Sequence, residues 1–432
     1  MKKILCLILR FFAKRIIHKY APVVIGITGS VGKTSTKEAI FTVLRKKCPG
    51  LRQNIKNYNN EIGLPLTIIG VDTGGTNLIA WLKIFIKAAG LLFKVDVNYP
   101  KILILEMGAD KPNDIEYLIK IAPCQIGVLT KIGTAHIEFF GSIEKIAEEK
   151  QKIISHLDSS GFAIVNFDDA AAQKALKNTS AQIITFGVGA GADVRALEST
   201  MQSSASSADK NCNLGLSFKL NYNGSSVPAF LPNIVGVHQI YPALAAASVG
   251  ISLGMNLVEI SEALRDYLPP KGRMNLIKGI NNSLIIDDTY NASPEAAVSA
   301  IETLAQMKFT GTGRKIAALG DMLELGDLTE QSHYNVGKFC AEQKIDILIC
   351  SGKFAEIIKR GAIEHGLNNG QVFAVDNSDA AGQLLKNMLK NDDILLIKGS
   401  QASRMEKAVK TVMAEPDTAT KLLVRQESTW LE

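Results

Sequence analysis

The clearest chemistry in this chain lies in one short run, Thr28-Gly29-Ser30-Val31-Gly32-Lys33-Thr34-Ser35, which follows the apolar stretch 23–27. Its glycines let successive backbone N–H groups converge on one anion, and a helix starting at the lysine adds its own N-terminus to the same point. Lys33 supplies a cation for the β and γ oxygens of a nucleoside triphosphate, and the Thr34 hydroxyl stands where Mg²⁺ is held. The usual phosphate loop has four residues between its first glycine and the Gly-Lys pair. Here Gly26 and Gly32 enclose five, so the run is a variant that keeps every chemical part.

Three further groups could act beside that loop. Glu106 ends the apolar run "KILILE", and a carboxylate closing a buried strand has a cation as its natural partner. His136, in "TKIGTAHIEFFGS", follows another strand end, where a neutral imidazole serves as a metal ligand or a capping donor. Lys150 closes "GSIEKIAEEK", and its charged neighbours predict a solvated helix face.

The elements that must position these groups are legible as an alternation. Short apolar runs at 23–27, 102–105, 126–129, 163–165 and 183–186 alternate with helical periodicity. The pattern predicts an α/β fold with a mostly parallel sheet, whose strands deliver their C-termini to the edge that carries the loop. Residues 189–213, rich in Ser, Ala, Gly and Asp, read as a flexible excursion. "YLPPKGR" (267–273) reads as a boundary, because paired prolines end a helix and stiffen the joint. After it "SLIIDDTY", "KIAALGD", "DILICSG", "QVFAVD" and "DILLIKGS" predict a second, Rossmann-like α/β domain without a dinucleotide fingerprint. The expected division is a basic amphipathic arm at 1–20, a central P-loop domain at 21–268 and a C-terminal domain at 269–432.

Composition narrows the class. The chain has 432 residues and 47% hydrophobic content, enough for two or three cored domains. Six of its 48 Lys and Arg (Lys2, Lys3, Arg10, Lys14, Arg15, Lys19) fall in residues 1–20 with no acidic residue, so the remainder equals the 42 Asp and Glu. The body is therefore neutral, and no nucleic-acid partner is expected. The arm is too short and too charged to span a bilayer, and it suits either an interfacial helix on anionic lipid or a helix packed on the body. A second amphipathic segment, 77–94, carries Lys83, Lys87 and Lys94 beside a wide apolar face. Together the two segments suggest a shared membrane-facing surface. Six cysteines without a C-x-x-C pair suggest reduced thiols in a cytoplasmic protein.

The segments "GITGSVGKTST", "NYNNEIGLPLT", "LEMGADKPNDIEYL", "TKIGTAHIEFFGS", "DDTYNASPEA" and "LGDMLELGDLTEQSHYNVG" occur in the order of the Mur ligase family, which this chain resembles from about residue 22 to about residue 410. The resemblance implies an ATP-dependent amide ligase of peptidoglycan synthesis that works through an acyl phosphate. The implied substrates are a UDP-N-acetylmuramoyl tripeptide and D-Ala-D-Ala. Lys33 would stabilise the transferring phosphoryl group, and Thr34, Glu106, His136 and Lys150 would hold Mg²⁺, with Lys150 carbamylated. Thr28 to Ser35, Arg273, Asp288 and Asn291 would bind ATP, and Asn59, Asn60, Lys398, Ser400 and Arg404 would contact the other substrates.

Four positions depart from the family pattern, namely Gln239, Pro242, Ser293 and Gln401. The larger departure is that only the basic arm stands where the family's uridine-diphosphate-gripping domain is expected. A ligase with a different or lipid-linked carboxylate acceptor, or a membrane-associated nucleotide-binding scaffold, therefore stays open as an alternative.

Overall fold

A computed structural model describes residues 2–54, 58–135, 137–202, 214–308, 313–427 and 430. The first sheet is built from β1 (Val23–Thr28), β2 (Leu51–Gln53), β3 (Ile102–Glu106), β4 (Ile126–Leu129), β5 (Phe162–Asn166), β6 (Gln182–Gly187), β7 (Val194–Gln202), β8 (Gly215–Tyr222) and β9 (Ser225–Pro232). Their spatial order is β2-β3-β1-β4-β5-β6-β7-β8-β9. Pairing is parallel from β2 through β7 and antiparallel from β7 to β9. All five expected strands of this half are present. The flexible excursion is corrected in part: residues 194–202 form β7, whose partner β8 is antiparallel, and 203–213 lie outside the described residues.

The second sheet contains β10 (Asn275–Lys278), β11 (Leu284–Asp288), β12 (Lys315–Gly320), β13 (Ile347–Ser351), β14 (Val372–Val375) and β15 (Ile394–Lys398), in the order β10-β11-β15-β12-β13-β14. Only β10 runs antiparallel to its neighbour. All five strand-like runs beyond the prolines form strands here, and β10 adds an edge.

Residues of β1 alternate between two cores, as a strand covered on both faces requires. Val24 enters one cluster, while Ile25 and Ile27 enter the other with Ala39, Ile40 and Val43 of α2 (Lys33–Leu44). The first cluster is roofed by α1 (Lys2–Tyr20), α3 (Gly63–Ile69) and α4 (Leu78–Phe93). The arm is thus a helix packed on the body: Leu9, Ala13 and Ile16 are fully buried in that cluster. Truncating Leu9 to alanine leaves a cavity at a site with little room to collapse. It is expected to cost about 2–5 kcal/mol in a urea melt, whereas an arm that folds only on lipid would show no loss.

Candidate active site

The loop after β1 is shaped by its glycines. Gly32 holds φ +89° at the start of α2, and a Cβ on Gly29 would sit 1.9 Å from Thr130 Oγ1. A side chain at Gly29 would collide with Thr130, and at Gly32 it would strain the left-handed backbone. Thr28 Oγ1 donates to the Met107 carbonyl at 2.8 Å, the Ser30 N–H donates to the Lys131 carbonyl at 2.7 Å, and Ser30 Oγ donates to Gly133 O at 3.1 Å. The loop is thereby tied to the ends of β3 and β4. Lys33 Nζ donates back to the Gly29 and Ser30 carbonyls at 2.8 and 3.4 Å. Withdrawal from water lowers its pKa, and the Glu106 carboxylate opposes that shift.

Glu106 is only 4% exposed at the end of β3. Its Oε1 accepts from Asn59 Nδ2 at 3.0 Å, and the Gly108 N–H donates to Asn59 O at 2.8 Å. Asn60 acts locally, its Oδ1 accepting from the Gly63 and Ile62 N–H groups at 3.0 and 3.2 Å in the turn that leads into α3. Lys37, which no sequence signal marks out, is buried and donates to the Asn54 carbonyl at 2.8 Å. It anchors the strand that leads into the Asn59 loop.

Lys150 overturns the solvated-face expectation. It closes the helix Ile143–Lys150 and is 1% exposed. Burial, and then the neighbouring Lys33 charge, lower its pKa to about 7. Glu149 is buried as well, and its carboxylate accepts from the Asn113 and Ile115 N–H groups, each at 2.8 Å. The run of charges misled because two of them are spent inside the protein. His136 lies outside the described residues.

The second sheet supplies the opposite wall. Arg273 stacks over the Tyr290 ring at 4.1 Å. Lys398 Nζ donates to Asp288 Oδ2 at 2.6 Å and to the Asn291 carbonyl at 2.9 Å, a buried pair that ties the ends of β11 and β15 together. Ser293 caps the helix Pro294–Gln306, a role that suits serine. In that helix Glu295 Oε1 accepts from Thr134 Oγ1 at 2.8 Å, joining the two halves across the cleft. Arg404 points elsewhere, since its guanidinium donates to Glu406 and to the Trp430 carbonyl.

Two adjoining cavities gather most of these groups. One of about 530 Å³ is lined by Lys33, Thr34, Glu106 and Asn59 from the first half and by Arg273, Asn291, Ser400 and Gln401 from the second. The other, of about 340 Å³, runs from Thr34 and Ser35 past Asp288 and Lys398 to Asn166, Asp168 and Tyr241. The last three have no signature in the sequence. Tyr241 Oη donates to Asp168 Oδ2 at 2.9 Å, and Gln239, beside it, points its amide at the Arg273 carbonyl at 3.5 Å. His238, at the same wall, is kept neutral by burial, which drops its pKa to about 4.

An anion cradle facing a second polar wall is what a ligase needs to hold a nucleotide against an acceptor, and the comparisons with known proteins agree. The Mur ligase middle domain matches residues 27–81 and 86–250, and the Mur ligase, glutamate ligase domain matches residues 272–401. The chain belongs to the Mur ligase family. The UDP-N-acetylmuramoyl-tripeptide–D-alanyl-D-alanine ligase of Bacillus subtilis is 31% identical over 408 residues, which are 94% of this chain and 79% of that one. MurF from Acinetobacter baumannii superposes with a TM-score of 0.76 at 28% identity, covering 93% of this chain and 79% of that one. MurF from Thermotoga maritima, solved with ADP, gives 0.75 at 28% identity over 93% and 82% of the two chains. Phosphoryl transfer from ATP uses Mg²⁺, and the donors present suit it. Thr34 and Glu106, which line the same cavity, offer the hard oxygens such an ion takes.

Proposed function

We propose that this chain is an ATP-dependent carbon–nitrogen ligase that adds D-Ala-D-Ala to a UDP-N-acetylmuramoyl tripeptide in cytoplasmic peptidoglycan precursor synthesis. The observation that carries the reading is the 530 Å³ cavity, where Lys33, Thr34 and Glu106 face Arg273, Asn291 and Ser400. The named relatives supply the substrates. In the reaction the acceptor carboxylate attacks the γ-phosphorus of ATP and ADP leaves. The dipeptide amine then attacks the acyl carbon, phosphate departs and the amine proton passes to solvent.

Lys33 and the loop amides neutralise charge on the transferring group. Asn59 orients Glu106, and Arg273 with Asn291 closes the nucleotide side together with the Asp288–Lys398 pair. Thr34 and Glu106, joined by His136 and carbamylated Lys150, would hold Mg²⁺, which screens phosphate charge. Asn60 and Ser400 complete the substrate contacts, whereas Arg404 is held by Glu406 and the Trp430 carbonyl, and the working division of the chain is 1–20, 21–268 and 269–432. Residues 1–20 and 77–94 make peripheral contact with the anionic inner membrane face.

The test is ADP release by purified protein given UDP-N-acetylmuramoyl tripeptide with and without D-Ala-D-Ala. A UDP-linked pentapeptide formed only when all three substrates are present is the expected result. ADP release that ignores the dipeptide, with no amide product, would sink the reading.

A further inference from the structure

α1 and α4 lie side by side. Phe12 stacks on Phe85 with ring centroids 6.2 Å apart, and Lys19 Nζ donates to the Leu91, Leu92 and Lys94 carbonyls at 2.7–2.9 Å, closing the C-terminal end of α4. The shared order of their contacts, Phe12 to Phe85 and then Lys19 to Leu91, means that they run parallel. Both bury one stripe in the same core: Leu9, Ala13 and Ile16 from α1, and Ile84, Ala88 and Leu91 from α4. The opposite stripes are apolar too. Ile4, Leu7 and Phe11 on α1 and Leu82 and Ile86 on α4 lie 54–64% exposed, and Phe93 at the end of α4 reaches 89%. Such residues scattered singly need no explanation, but two adjacent helical stripes on one side of the molecule form a patch.

The charge around that patch selects its occupant. Neither helix contains an acidic residue, while Lys3, Lys14, Arg15 and Lys83 are exposed along them. Nearby acids are few: Glu61 is paired with Lys2 at 3.0 Å, and Asp96 lies just past the end of α4. A second copy of this face would oppose like charges. No helix among the described residues is long and apolar enough to cross a membrane. An apolar stripe edged by lysines and too short to span is the pattern of a surface that lies in the headgroup region of anionic lipid.

We infer that the paired outer faces of α1 and α4 form a two-helix platform that seats the protein on an anionic phospholipid bilayer, with Ile4, Leu7, Phe11, Leu82 and Ile86 entering the acyl boundary. This deepens the peripheral contact proposed above and is independent of the ligase reading. The Lys2–Glu61 pair joins the start of α1 to the segment that carries Asn59 and Asn60.

Sedimentation of the full chain with phosphatidylcholine vesicles, with and without phosphatidylglycerol, tests the platform. Binding is expected only with phosphatidylglycerol and is expected to fall as salt rises. Leu82→Ser/Ile86→Ser is expected to abolish it, and Lys14→Gln/Lys83→Gln to weaken it about thirtyfold, while circular dichroism and the melting temperature stay unchanged. Failure of the unaltered chain to bind at low salt, or full binding by the serine variant, would overturn the platform. So would a dimer in sedimentation equilibrium that the serine variant dissociates, because the face would then be covered by a second copy. ADP release without vesicles reports on the ligase reading separately.

Discussion

Lys33→Ala is expected to lower ligation by about 10³-fold or more while leaving the protein folded. Its ammonium is held over the cradle by the Gly29 and Ser30 carbonyls, and in the proposed reaction it would counter the charge that gathers on the transferring phosphoryl group. Alanine leaves the loop amides in place, because Gly29, Gly32 and the Ser30 tie to Lys131 do not depend on the lysine. Nucleotide binding is therefore expected to weaken less than turnover. Arginine is not expected to rescue it: a planar fork does not fit where a compact ammonium lies between two carbonyls. Single-turnover ADP release with wild-type and variant protein checks this, and near-normal turnover by the alanine variant would remove Lys33 from the centre of the site.

The parts of this site that sequence reveals are those whose chemistry is local. A glycine-rich turn between a strand and a helix states its purpose in eight residues, since its φ angles and its anion depend on little else. Glu106 was legible because a carboxylate ending an apolar run is anomalous. Lys37, Asp168 and Tyr241 were not, because each is brought to the site by a fold contact: Lys37 to Asn54, and Tyr241 to Asp168 across 73 positions of sequence. The antiparallel β7–β9 extension was hidden for a related reason. Its first strand sits in a 189–213 segment rich in Ser, Ala, Gly and Asp, and it is paired with β8 rather than marked by a continuous apolar run. The arm suited a packed and an interfacial helix equally well: one stripe of α1 packs in the core and the other is exposed, and composition alone does not distinguish the two stripes.

Lys150 is the residue for which sequence and structure disagree most, and its removal carries the second large effect. Burial and the Lys33 charge bring its amine to a pKa of about 7, well under the ordinary lysine value of 10.5, so near neutrality about half of it is the free base. Only the free base reacts with CO₂: the neutral nitrogen attacks carbon, one N–H proton is released to solvent, and the amine becomes a carbamate anion. Occupancy of the carbamate is then expected to rise with pH through about 7 and with dissolved bicarbonate. Linkage gives the unmodified lysine its own sign. Between about pH 7 and 10.5 the unfolded chain keeps a proton that the folded one has lost, so stability rises with pH across that window, and Lys150→Ala removes the slope. The alanine variant is expected to lose about 10²–10³-fold in ligation, as when one charge-stabilising group is taken from a closed site. If Lys150 is carbamylated as proposed, acetate or formate supplied in solution is expected to restore part of that activity in Lys150→Ala and none in Lys33→Ala, because the first would lack a carboxylate and the second a cation. A fully active Lys150→Ala, or one indifferent to added carboxylate while wild-type activity ignores bicarbonate, would make Lys150 a buried structural lysine.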